Sequence, residues 1–366
     1  MIKLKRSTKI TLFIVAACLI TGGTAIGILV VATWGEINYE NTYYYNPSSP
    51  APIERININS DIGSVLIKYN TTPTDYYVQI DLDIHIAGIF VKGSSLWDFF
   101  NQIIWENGTT QVTTFTLDAK ATTWFIFIQK IHINVTLRTD VVYNINSYSG
   151  TGSTSMNVPD NIMINNTNLA TSTGSVSLTT AKNITFQGDV GMSSSTGSVA
   201  LIAKHVNFTR DLVAYTSTGS LTLNFTNCII GGDLVGTAST GSISFSSYNM
   251  KYMKDHTWSL ETSTSSISVR ILQFIEMGAN VTGSISTSTG SISVYYRDIL
   301  INVGALFSCS TSTGSNTYTP IGFGGFTESG INPKTITSSD YSTASNYYTF
   351  GLSTSTGSIT VAAESL

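Results

Sequence analysis

Charge is scarce in this chain, with only 11% of its 366 residues Asp, Glu, Lys or Arg. Its polar surface must therefore come mostly from the hydroxyls and amides of Ser, Thr and Asn. Four of the few cations, Lys3, Lys5, Arg6 and Lys9, crowd the N-terminus, so the rest of the chain is net acidic. That speaks against nucleic acid or anionic lipid as its partner. Histidine is rare too, and His85, His132, His205 and His256 are scattered. No G-x-S-x-G elbow, P-loop or H-E-x-x-H occurs, and no serine has a histidine and an acid nearby in a recognisable arrangement. The sequence thus offers no catalytic residue and no cofactor site. Of three cysteines, Cys18, Cys228 and Cys309, none stands at C-x-x-C or metal-type spacing. Low charge does not mean disorder here, because 42% of the residues are hydrophobic and can fill a core.

Long apolar runs are missing with one exception. Residues 10–33 carry no charge, come after the four N-terminal cations and precede Trp34, Glu36 and Glu40. About 20 apolar residues span a bilayer, and the basic flank stays inside. The expected topology is a cytoplasmic tail over 1–9, a transmembrane helix over 10–33 and an extracellular remainder on a single-pass membrane protein. A signal peptide cut near Gly23-Thr24-Ala25 is the rival. Gly23 and Gly27 form a G-x-x-x-G pair, a route to a homo-oligomer.

What the chain has in abundance is a repeat. Ser-Thr-Gly-Ser followed by alternating apolar residues recurs with its glycine at Gly152, Gly174, Gly197, Gly219, Gly241, Gly290, Gly314 and Gly357, and Ser265 takes the glycine's place once. The spacing is roughly 22–25 residues, in the range of stacked repeat architectures. A final step nearly twice as long suggests a coil that has lost its signature. Two residues after each corner come Val176, Val199, Leu221, Ile243, Ile267 and Ile292; four after come Leu178, Leu201, Leu223, Phe245, Val269 and Val294. This period of two describes strands with one buried face. Stacked at about 4.8 Å, such strands would form apolar ladders inside a tube. Two further apolar segments, Ile184-Thr185-Phe186 and Val190-Gly191-Met192, predict three strands per coil. A tight corner explains the glycine, and the hydroxyls can bond backbone in neighbouring coils. Asn316 and Tyr318 break the rule in the Gly314 coil, which is expected to be irregular.

The run Thr171-Ser172-Thr173-Gly174-Ser175-Val176-Ser177-Leu178 and its copies resemble the putative-adhesin β-strand-repeat family of prokaryotic surface proteins. The likeness covers about 53–366. It implies an all-β fold, a right-handed parallel β-helix or solenoid of about 22–25 residues per coil, and a cell-surface setting. It carries over no catalytic residue.

Ahead of the repeats, 34–52 reads as an extended linker, with Tyr39, Tyr43, Tyr44 and Tyr45 followed by Pro47, Pro50 and Pro52. Residues 53–146 read as an N-terminal β cap, and 147–366 as the repeat domain. Within the cap, Gly63 marks a divergent first copy, Tyr77 to Ile86 alternate strictly, and Leu96, Phe99, Phe100, Ile103 and Ile104 predict a short helix near 94–105.

Two further patterns bear on function. Asp189, Asp211, Asp233 and Asp255 are 22 residues apart, and stacking would align them. Such a row could hold Ca²⁺, which wants many oxygens, but a repeated turn residue explains it better, with Arg210 and Lys254 offsetting the repulsion. No required metal is expected, and these four are weak metal candidates. Eight sequons, at Asn70, Asn107, Asn134, Asn165, Asn183, Asn207, Asn224 and Asn280, mark candidate N-glycosylation sites. Cys228 and Cys309 lie more than three coils apart, beyond disulfide reach. The expectation is a non-enzymatic structural or adhesive surface protein with a glycan or protein ligand. The alternatives are a polysaccharide-binding or polysaccharide-degrading β-helix, and an accessory subunit of a membrane complex.

Overall fold

The computed structural model describes residues 34–365, except 73, 90, 108–111, 121–125, 299–302 and 323. The expected tail and membrane span over 1–33 lie outside the described residues. Among those described, no helix is long and apolar enough to cross a membrane.

Strands dominate and stack in parallel registers. A representative coil turns at Gly174, runs through Val176–Thr180, Ile184–Phe186 and Val190–Thr196, and reaches the next corner at Gly197. Its three strands belong to sheets of thirteen, five and fourteen strands. Val176 pairs with Val199, Val199 with Leu221, Leu221 with Ile243, Ile243 with Ile267 and Ile267 with Ile292. Both ladders read from the sequence are therefore continuous, and every member is buried. Phe186 stacks on Phe208 at 5.2 Å, and Phe225, Phe245 and Trp258 extend this aromatic column. One hydrophobic core runs through the stack.

The corner motif has a steric cause. At Gly174, φ is +143°, and a Cβ would lie 2.2 Å from the Gly152 carbonyl oxygen. At Gly241 the corresponding distance to the Gly219 oxygen is 1.7 Å. Each glycine thus makes room for the carbonyl of the coil below. The residue three before the corner donates its hydroxyl to that same class of carbonyl: Thr171 to Gly152, Ser194 to Gly174, Thr216 to Gly197 and Thr262 to Gly241, at 2.7–3.0 Å. Ala238 breaks this series. Gly63 belongs to it as the first copy, since Ser149 donates to its carbonyl and Val65 pairs with Thr154.

Several expectations fail. Trp34–Tyr45 is not a linker but a twelve-residue strand, antiparallel to Val78–Ile89 along its whole length. Ile37, Tyr39 and Tyr43 pack on the core and Tyr45 is buried in it; the prolines that suggested a linker all fall after the strand ends. No helix spans 94–105. A single 3₁₀ turn at Leu96–Asp98, with Ser95 and Asp98 forming a capping box, gives way to the strand Phe100–Asn107, which pairs with Val112–Ala119. The apolar spacing suits a helix, but a sheet edge takes the segment, and tertiary pairing overrides local pattern. The N-terminal strands also make no separate sheet. They prolong the two large sheets of the coils, partly in antiparallel order.

The C-terminal end holds the largest surprise. No coil is missing before Gly357. Asn346–Thr356 and Ile359–Glu364 insert between the Gly290 coil and the Gly314 coil, pairing with strands of both in both large sheets. The Gly314 coil, earlier in sequence, is thereby outermost. Its departure from the apolar rule follows from that place, because Tyr318 ends the stack beneath Phe326, at 6.3 Å between rings. Residues 321–345, in which a degenerate coil was expected, instead run as Phe326–Ser329 and Lys334–Ser338, the latter antiparallel to the outer strand Val303–Thr313.

Candidate functional site

The aspartate row has three members in register, of which Asp211 and Asp233 cap backbone donors. Val190, Leu212 and Leu234 are in register, which aligns Asp189, Asp211 and Asp233 before them. The next step pairs Leu234 with Trp258, so Thr257 follows Asp233 and Asp255 stands two residues out of line. The constant interval in the sequence misleads because the coil lengthens at this point. Asp211 Oδ1 accepts the Asp233 N–H at 2.9 Å, Asp233 Oδ1 the Thr257 N–H at 2.8 Å, and Asp255 Oδ1 the Asn280 N–H at 2.8 Å. Each carboxylate thus ties down a backbone donor of the next coil. The Thr257 N–H holds the Asp233 carboxyl below its ordinary value. Among the described residues Arg210 and Lys254 form no ion pair with the row, and at Asp233 the Thr257 backbone donor is the main compensation, with Lys254 contributing only a smaller, longer-range attraction. Nor, among the described residues, do three or more His, Cys, Asp or Glu gather where they could hold a metal.

The remaining candidates are dispersed. Cys228 and Cys309 are free and buried, and burial pushes the Cys228 thiol up to about 11. His256 is buried and lowered by that burial, whereas His132 and His205 are exposed. Of the sequon asparagines, Asn183 and Asn224 are exposed. Asn165 Nδ2 donates to Asn144 Oδ1 at 2.8 Å, and Asn280 is bonded through both ends of its amide. Asn70 caps the Thr72 N–H at 3.0 Å. Asn134 and Asn207 are half-buried within strands, a poor setting for a bulky glycan. The Asn107 side chain lies outside the described residues.

A site that the repeat pattern concealed lies on the outer face of the fourteen-stranded sheet, over its first coils. A hollow of about 700 Å³ is lined there by Arg55, Asn57, Asn144, Asn146, Asn168 and Asp189. Asn57, Asn146 and Asn168 are in register across three adjacent strands, and Gly191 follows them in the next. Asn168 Nδ2 donates to Asn146 Oδ1 at 3.0 Å, while Asn144 Oδ1 accepts from Asn165, from Asn166 and from the Asn166 backbone. In turn Asn166 Oδ1 caps the Asp189 N–H at 2.9 Å. The amides are thus prearranged at coil spacing. Gly191 keeps the far wall open, and a Cβ there would meet Asn168 Oδ1 first, at 3.1 Å. Farther along the Asn144–Asn146 strand, Tyr148 is exposed on the same face and bonds Ser172 through its hydroxyl. The arrangement can present many neutral donors and acceptors at once, flanked by one cation and one anion.

Comparison with known proteins adds little to this geometry. No family model and no curated protein matches the chain. Two solved structures are similar: one described as a putative cell adhesion protein from Clostridium sporogenes, 10% identical, covering 90% of this chain and 100% of its own, with a TM-score of 0.24; the other as a putative adhesin from Bacteroides fragilis, 10% identical, covering 89% and 97%, with a TM-score of 0.33. Superposition at that level supports no further conclusion about this chain.

A second corner escaped the sequence reading. Asn161, Asn183, His205, Asn227 and Asn249 all adopt positive φ, between 51° and 64°, once per coil. Asparagine tolerates this left-handed conformation better than most residues. The signal was present as asparagine recurring at the coil interval, hidden by the general abundance of that residue.

Proposed function

We propose that the protein is a single-pass, membrane-anchored β-solenoid, right-handed with coils of about 22–25 residues, which stands on the outer face of the cell as a structural and adhesive element and catalyses no reaction. The carrying observation is the division of its surfaces. Apolar side chains fill the interior from Tyr45 to Ala363 as one core, while the outward positions of the coils carry mainly Ser, Thr and Asn. A tube of this kind is stiff and presents long, weakly charged, hydrogen-bonding faces, which suits contact with other polar surfaces. Its base supports the anchored reading. The strand Trp34–Tyr45 belongs to the end of the thirteen-stranded sheet and follows directly on the uncharged run 10–33, so the tube would rest close to the membrane.

A membrane-impermeant amine reagent applied to intact cells tests the topology. Lys182 and Lys204, both exposed, should be labelled, and Lys3, Lys5 and Lys9 only after lysis. Lys182 and Lys204 remaining unlabelled until lysis would overturn the reading. Adhesion itself is tested by comparing attachment of cells with and without the protein; equal attachment would leave a purely structural role.

A further inference from the structure

Building on that surface reading, we propose that the hollow over the first coils of the fourteen-stranded sheet binds an oligosaccharide. The chemistry of the lining points to this ligand class. Sugar hydroxyls both donate and accept, and a carboxamide offers two donor hydrogens and an accepting oxygen on one rigid plane. Asn57, Asn146 and Asn168 repeat that plane on successive strands, about 4.8 Å apart, a step comparable with the length of a pyranose ring. The ladder bond from Asn168 to Asn146 fixes both amides before any ligand arrives, which reduces the ordering cost of binding. Tyr148 adds an aromatic surface on which the C–H face of a sugar can lie.

Other ligand classes fit less well. A peptide adding itself as a strand needs an open sheet edge, and the strands beneath the hollow are paired on both sides. A protein hot spot would offer apolar or aromatic anchors in a desolvated pocket, whereas the hollow is walled by amides. A polyanion would meet Arg55 at one side but Asp189 at the other. The occupant is therefore a largely neutral, polyhydroxylated chain, with Arg55 placed to take a carboxylate or ring hydroxyl at one end.

The position is also distinct within the repeat. Where the Asn57–Asn146–Asn168 row continues upward it becomes Gly191, then Val213 and Val235. Amides occupy only the coils that form the hollow, so the ladder is not a general need of stacking.

The test uses the purified full-length protein on a surface printed with maltohexaose, chitohexaose, mannohexaose and cellohexaose. At least one of these should retain the wild-type protein. Asn146→Ala should reduce that signal at least tenfold. Because Asn146→Ala also removes a ladder bond, Gly191→Leu is the decisive variant: it keeps Asn57, Asn146 and Asn168, with Asn168 Oδ1 giving slightly to the new Cβ, fills the end of the hollow without adding an amide to the row, and should abolish retention at a little-changed melting temperature. Asn224→Ala, in a distant coil, should bind as wild type. Failure of the wild-type protein to bind any of the four sugars, or binding that survives Gly191→Leu, would overturn the proposal. Labelling of Lys182 and Lys204 on intact cells in the same strain keeps the two readings apart: label without sugar binding removes this site alone, and absence of label removes the surface reading as well.

Discussion

The middle of the tube and its C-terminal end are built from the same coil but ordered by different rules. From Gly152 to Gly290 each coil stacks on the one before it in sequence, whereas at the end the last coil slips beneath its predecessor. The glycine contacts record both arrangements. A Cβ on Gly174 would strike the Gly152 carbonyl, and one on Gly357 would strike Gly290, while Gly314 faces Gly357. A parallel ladder requires matching faces and a corner that clears its neighbour's carbonyl. It does not require the neighbour to be adjacent in the chain.

The largest expected effect tests the shared coil. Leu223 is fully buried in the middle of the tube, and Thr222 beside it points outward. Leu223→Asp should cost at least about 3 kcal/mol, because it leaves a charge unpaired in the core, and Thr222→Asp should shift the melting temperature little. Equal losses would reverse the assignment of faces. Removing 346–366 sharpens the comparison itself. Amide exchange should then lose protection over 303–338, which rests on the inserted coil, while 176–245 stays protected. Unchanged protection at 303–320 would mean that the outer coil can dock on the Gly290 coil in simple sequence order.

Smaller effects probe the corners. Gly241→Ala should destabilise by roughly 2 kcal/mol because the new Cβ must displace backbone. Ser265→Gly restores the repeat at the cost of the bond from Ser265 to the Thr240 carbonyl, and should stay within about 1 kcal/mol of wild type. Thermal melts of the two variants read both. Asp233 predicts an acid limb. Its folded value lies below the ordinary 3.8, so its contribution is present above that pH and fades as pH falls through the lower folded value. Asp233→Asn should flatten this limb slightly, since solvent still screens this half-buried group. Smallest of all, Ala238→Ser supplies the hydroxyl that Ser194 and Thr216 already give to their neighbours' glycine carbonyls, and should stabilise by about 0.5–1 kcal/mol in a chemical melt.

The repeat was legible because it is local and periodic. Val176, Leu178 and their counterparts could be assigned to one inner face from alternation alone, and Gly63 could be recognised as a first copy. The candidate hollow was not legible. Asn146 and Asn168 are a single coil apart, but Asn57 belongs to a much earlier segment, and only the stacking of that distant N-terminal strand on the first coils makes the three one surface. Regularity also misled: the interval from Asp233 to Asp255 looks identical to the two before it, yet the register moves by two because the coil is longer.

The sequence by itself determined the all-β character, the inner face of each coil and the need for a small residue at the corner, since these depend on side-chain periodicity and on clashes a few residues in extent. Tertiary structure alone decided that Trp34–Tyr45 is a strand, that 100–107 is a strand instead of part of a helix, and that the last coil lies inside the Gly314 coil. In each case several pairings were open to the local segment, and the choice went to the partner that satisfied its backbone and buried its apolar side chains, a competition settled between residues far apart in the chain.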